Sequence, residues 1–186
     1  MVYLSALWLP ILLSAVFVFV ASSIIHMVLQ FHKGEYKQLP GEASILEAMR
    51  TEGVARGEYT LPCAGSLKDA GTPEMQQKYQ QGPCGYLTII PNGAPAVGKG
   101  LVLWFLYSVL ISACVAYVAG RTLVVGTEYL TVFRVTGSVA FLAYAAAIIP
   151  NSIWKGAPWS STLKHVLDGL VYGVVTAGVF GWLWPS

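Results

Sequence analysis

Four apolar stretches, residues 7–29, 101–119, 129–149 and 162–184, constrain this chain more than any other feature in it. Each is close to the roughly 20 residues that a helix rising 1.5 Å per residue needs to cross a hydrocarbon core of roughly 30 Å. The rest of the composition agrees: 55% hydrophobic and 11% charged residues, with a mean hydropathy of +0.61, are wrong for a water-soluble globule. The pattern predicts an all-α integral membrane protein. Its four transmembrane helices carry a small extramembrane α+β cap between the first and second.

The first stretch resembles a secretory signal only superficially. It has no basic residue before it, its apolar run is long, and no small-x-small cleavage site follows Ser22 and Ser23. It is expected to stay as an anchor, giving a first span to residue 30, a cap over 31–99, and three further spans over 100–186 that form one bundle with the first.

Composition changes sharply at the cap. Residues 31–99 hold seven of the eleven basic and seven of the nine acidic residues, so this segment belongs in water. Pro40 and Gly41 open a short helix over 42–50, with Ile45, Leu46 and Met49 at helical spacing. A second helix over 73–81 has Thr72 to cap it, Pro73 at its first position and Gly82 after its end. Residues 58–61 and 86–90 lie between glycine and proline punctuation and read as a pair of small strands.

Charge gives orientation. Lys33, Lys37 and Lys99 flank the first loop and Lys155 and Lys164 the third, against Arg121 alone in the second. The positive-inside rule then places 31–99 in the cytoplasm and both termini in the periplasm of a bacterial inner membrane, as a multi-pass protein. In that compartment Cys63 and Cys84 are reduced thiols, whereas the opposite orientation would permit a disulfide. A net charge of +2 without a Lys/Arg cluster argues against nucleic acid as a partner. The three cysteines have no zinc-type spacing, so no metal, cofactor or catalytic residue is assigned from them.

Small residues mark the packing faces. Ser108, Ser112, Ala116 and Gly120 recur every four residues on the second span, and Gly169 and Gly173 form a small-xxx-small pair on the fourth. The six tryptophans all lie near predicted interfaces, where an aromatic belt accounts for them.

Polar residues inside apolar spans are more informative, because a charge there is costly. His165, Asp168, Gly169, Tyr172, Gly173 and Thr176 form one stripe on the fourth span, which must face protein or water. Ser14, Ser22 and His26 share a face of the first. Counting helical rise places His26 and His165 roughly 5 Å inside the boundary and Asp168 roughly 9 Å, so the three are able to meet. Such a group suits proton exchange, or simply fixes helix register through hydrogen bonds. Two histidines at matched depth also raise a bis-histidine haem. Arg134, roughly 7 Å from the opposite boundary, either snorkels to head groups or pairs inward with an anion. The candidate polar site is therefore His26, Arg134, His165, Asp168 and Tyr172.

Three segments, SALWLPILLSAVFVFVASSIIHMVL, IIPNGAPAVGKG and PWSSTLKHVLDGLVYGVVTAGVFGWLWP, make the chain resemble a family of small four-helix bacterial membrane proteins of uncharacterised function. That resemblance implies no activity, cofactor or site residue. No motif for transport or catalysis is present, so the first expectation is a non-catalytic accessory or structural component of a membrane assembly, in contact with lipid and with other subunits or a second copy. The rivals are a small proton-linked transporter or channel using Asp168 and the histidines, and a membrane redox subunit binding quinone or haem.

Overall fold

The computed structural model describes every residue from Met1 to Ser186. The chain divides into two compact units, one made of Met1–Glu35 with Ala96–Ser186 and the other of Tyr36–Pro95. Residues 31–35, placed with the cap by composition, therefore stand with the helices.

The helical unit begins with a 3-10 turn, Leu4–Leu7, that leads into α1, Trp8–Ser23, and ends in a π turn, Ile24–Val28. In the unit Tyr36–Pro95, α2 (Glu42–Thr51), β1 (Gly57–Leu61), α3 (Leu67–Ala70), α4 (Pro73–Gln81) and β2 (Gly85–Ile89) follow in order. The helical unit resumes with α5 (Val97–Thr122), α6 (Tyr129–Ala145), α7 (Ile149–Lys155) and α8 (Trp159–Trp182).

Four helical segments, Leu4–Val28, Val97–Thr122, Tyr129–Lys155 and Trp159–Trp182, are long and apolar enough to cross a membrane. The third is not one regular helix. Pro150 has no N–H to donate, and its ring crowds the carbonyl four residues earlier, so the chain tightens into a 3-10 turn at Ala146–Ile148 before α7.

In the smaller unit β1 and β2 pair antiparallel with Gly57 opposite Ile89 and Leu61 opposite Gly85. The Thr72 hydroxyl accepts from the Met75 amide at 3.4 Å to cap α4, with Pro73 in its first turn. Cys63 and Cys84 are exposed free thiols.

Helices α6 and α8 make the closest packing, and α1 lies against both α5 and α8. The small residues explain the approach. A Cβ at Gly169 would sit 2.7 Å from the Ala145 Cβ and 3.0 Å from its backbone, and one at Gly173 would sit 3.2 Å from Phe141. The four-residue series on α5, Ser108, Ser112, Ala116 and Gly120, is buried along its whole length. Gly120 receives the N-terminal segment: its carbonyl accepts from the Val2 amide at 2.8 Å, and a Cβ there would collide with the Val2 carbonyl at 2.5 Å. At the same end Trp184 Nε1 donates to the Val124 carbonyl at 2.9 Å. Close van der Waals fit of this kind is what small residues on facing helices permit.

Gly169→Ala therefore drives a methyl into the α6 backbone and should cost about 1–3 kcal/mol, read as a lower melting temperature in detergent. Gly100→Ala, in α5 with nothing within 4 Å, should melt at or above wild type because alanine is the better helix former. Equal melting of the two variants would mean that α6 and α8 do not approach through Gly169.

Candidate functional site

All three histidines of the chain meet at one end of the bundle, where α1 ends and α8 begins. The first cause is local. The last turn of α1 widens to a π turn that carries His26, whose Nδ1–H donates to the Ser22 carbonyl at 3.0 Å. Such single π turns recur at functional sites because the extra residue re-aims a side chain. The chain then reverses sharply: Gln30 takes a left-handed φ of 49°, unusual for a residue with a Cβ, and Gly34 takes 89°. This reversal lays His32 face to face on His26, centroids 4.5 Å apart and planes within 7°, and His165 also stacks on His32, at 4.6 Å.

Two carboxylates organise the stack. Asp168, almost fully buried on α8, accepts from His32 Nε2 at 2.7 Å, with His165 Nδ1 at 3.7 Å and His26 Nε2 at 3.9 Å from the same oxygen. Glu35 faces the far side: His32 Nδ1 donates to its Oε1 at 2.8 Å, and His165 Nε2 lies 3.5 Å from its Oε2. Both nitrogens of His32 thus face a carboxylate oxygen, one on each side of the ring. Lys164 adds a second clamp. Its Nζ donates to the Phe31 carbonyl at 2.9 Å, lies 5.2 Å above the Phe31 ring and sits 3.7 Å from Glu35 Oε1. Burial acts to raise the Glu35 pKa, but hydrogen bonds from Ser161 and His32 and the nearby positive imidazoles outweigh it and hold the carboxyl below its ordinary range.

Beside this cluster is a cavity of about 400 Å³ lined by Ser22, Met27, Leu101, Ile148 and the aromatic rings of Trp104, Tyr144 and Tyr172, with His26, His165 and Asp168 at its polar end. The rings support one another: Tyr144 and Tyr172 cross edge to face at 5.4 Å, and Trp104 contacts both. Trp104 Nε1 donates to Ser22 Oγ at 2.8 Å, which ties α5 to α1 at the cavity wall. The Tyr144 hydroxyl is buried and has no hydrogen-bond partner, although Ser108 is close by; the Ser108 hydroxyl donates to the Trp104 carbonyl at 3.0 Å.

Of the residues singled out from sequence, His26, His165 and Asp168 come together, and Tyr172 lies one turn along α8 in the cavity wall. Arg134 does not join them; it is exposed on α6. Trp104 and Trp184 depart from the aromatic-belt reading, the first as cavity wall and the second as buried core. His32 and Glu35 were missed because they follow the end of the first apolar stretch, in a segment that composition assigns to water. One signal pointed there: a third histidine six residues after His26, in a chain with no others besides His165.

The parallel stack bears on haem. His32 stacks on both His26 and His165, whereas a bis-histidine haem needs its two axial rings on opposite faces of the porphyrin. No protein-family model, curated protein or solved structure matches this chain. Function must therefore be argued from the site itself.

Asp168 anchors the reversed segment to α8. Asp168→Leu should destabilise the fold by about 1.5–3 kcal/mol, the usual cost of losing a hydrogen bond to a charged group. It should also speed amide exchange over residues 31–35 without changing the middle of α5. Asp168→Asn, which keeps an acceptor oxygen, should lie between that variant and wild type. Unchanged exchange over 31–35 in Asp168→Leu would show that the segment is held by something else.

Proposed function

We propose that this chain is a multi-pass membrane protein that binds a ring-bearing, lipid-soluble small molecule of the quinone class in the cavity beside the histidine stack. One observation carries the reading: an apolar, aromatic-walled cavity of about 400 Å³ ends at a buried carboxylate and two imidazoles and contains an unpartnered Tyr144 hydroxyl. That volume lies in the range of small-molecule sites, which combine apolar walls with a few convergent polar groups. The rings of Trp104, Tyr144 and Tyr172 suit a planar ligand, which they can meet by offset or edge contacts. Polar groups at two places, the Tyr144 hydroxyl in the wall and the histidines at the end, suit a ring with oxygens on opposite edges. Met27 and Leu101, both exposed, give the cavity an apolar lip, so a tail can remain in lipid.

The reading favours the redox or quinone-binding alternative over a purely structural accessory. Packing alone calls for neither a lined cavity nor three imidazoles drawn around one carboxylate. It also keeps the orientation read from Lys33, Lys37, Lys99, Lys155 and Lys164, with the site at the cytoplasmic end of the spans. Impermeant thiol reagents should leave Cys63 and Cys84 unlabelled in intact cells and label them in inverted vesicles. Labelling in intact cells would reverse the orientation.

Binding is tested by quenching of tryptophan fluorescence with a short-chain quinone. Saturable quenching is expected, with Tyr144→Phe weakening affinity by about threefold to tenfold through the loss of one hydrogen bond, and Trp104→Phe reducing the amplitude. Quenching that does not saturate, or is the same in both variants, would contradict the proposal.

A further inference from the structure

We infer that His26 Nε2, His32 Nε2 and Asp168 Oδ2 form a binding site for one divalent transition-metal ion of the Fe2+ or Zn2+ type. The inference is independent of what fills the cavity. These three atoms all lie within 4.8 Å of one another, and they come from a set, two imidazoles and one carboxylate, that suits such ions with coordination positions left open.

The outer contacts make this more than a cluster. An imidazole that binds a metal through one nitrogen generally has the other held by an oxygen acceptor, which fixes the tautomer and aims the ring. Both candidate ligands have that support. His26 Nδ1–H is held by the Ser22 carbonyl at 3.0 Å, and His32 Nδ1–H by Glu35 Oε1 at 2.8 Å. In each ring the remaining nitrogen, Nε2, is the one that faces Asp168 Oδ2. Glu35 is itself fixed by Ser161 and Lys164, so the support does not end at a mobile side chain. The π turn at His26 and the left-handed Gln30 are the backbone departures that bring the two nitrogens to the same place.

The distances bracket those of a bound ion, and the His26–His32 stack must open to admit one. Ligand atoms about 2.1 Å from a shared metal lie roughly 3.0–3.4 Å from one another. His26 Nε2 is 3.9 Å and His32 Nε2 is 2.7 Å from Asp168 Oδ2, one above and one below that range. The Asp168 carboxylate moves back from His32 by roughly half an ångström, and the two rings, parallel to within 7° at 4.5 Å, must turn well out of that stack, because each nitrogen lone pair lies in its own ring plane. The ion takes the place of the proton between His32 Nε2 and Asp168, and that proton leaves to water. His26 and Asp168 line the cavity, so the open coordination positions face it, and an oxygen of a cavity ligand is able to complete the shell.

The test is titration of the full chain, purified in detergent and stripped with chelator, with Co2+ followed by Zn2+ competition. One Co2+ per chain should bind, with visible ligand-field bands that Zn2+ abolishes. His26→Gln and Asp168→Asn should each weaken binding by at least tenfold, and Glu35→Gln by about tenfold to a hundredfold through His32. Serine at Cys63, Cys84 and Cys114 together should leave binding unchanged. His26→Gln removes a half-exposed side chain and serves if Asp168→Asn fails to fold. Absence of stoichiometric Co2+ binding, equal affinity in His26→Gln, or loss of binding in the cysteine variant would overturn the inference. Because the readout is metal absorbance and not quinone quenching, either reading can fail without the other.

Discussion

A carboxylate set among apolar helices must be paired, and Asp168 meets that demand by drawing in the segment that follows α1. Its hydrogen bond from His32 at 2.7 Å joins residues 136 positions apart, and the other contacts of the site assume it. Without His32 in place, Glu35 keeps only Ser161, Lys164 and His165 to hold it inward, and His165 loses a stacking partner. The helices would still pack through α6 and α8, because that interface rests on close approach at Gly137, Gly169, Gly173 and Gly181. Fold and site thus rest on different physics: close van der Waals approach for the bundle, and charge compensation for the cluster at its end.

The two proposals meet in one place. A cavity that ends at an imidazole–carboxylate cluster offers a ligand both an apolar bed and a polar terminus, and a metal ion at that terminus would supply an electrophilic contact that side chains do not. The Tyr144 hydroxyl, buried and without a well-aligned hydrogen bond although Ser108 is close by, is available to a ligand oxygen within its reach. Two further buried hydroxyls, Ser112 and Thr176, also lack partners. They sit in helix interfaces and not in the cavity wall, and no ligand is assigned to them.

Much of the scaffold was legible because its signals are local. Apolar length marks the four helical segments long enough to cross a membrane, Thr72 and Pro73 mark the start of α4, and four-residue spacing of small residues marks the buried face of α5. Counting helical rise put His26, His165 and Asp168 within about a turn of one another, and the structure brings these three together. What escaped was the path of the chain between Val28 and Glu35. A π turn and a left-handed glutamine carry no sequence signature, since each is imposed by the tertiary hydrogen bonds it permits. Composition then misled, because Lys33, Glu35 and Lys37 read as solvated charge when Glu35 is in fact turned inward and paired. Trp104 was legible only in part: near the end of an apolar stretch, a belt tryptophan and a cavity wall look the same until a neighbour such as Ser22 is known.

A double-mutant cycle between His32 and Asp168 tests the central claim most directly. Thermal or denaturant unfolding is measured for His32→Ala, Asp168→Ala, the pair and wild type in one detergent. The account predicts a coupling energy of about 1 kcal/mol or more, since each single variant strands the partner of a buried charge-assisted bond. Additivity within about 0.5 kcal/mol would mean that His32 does not sit on Asp168, and the site described above would not exist in that form.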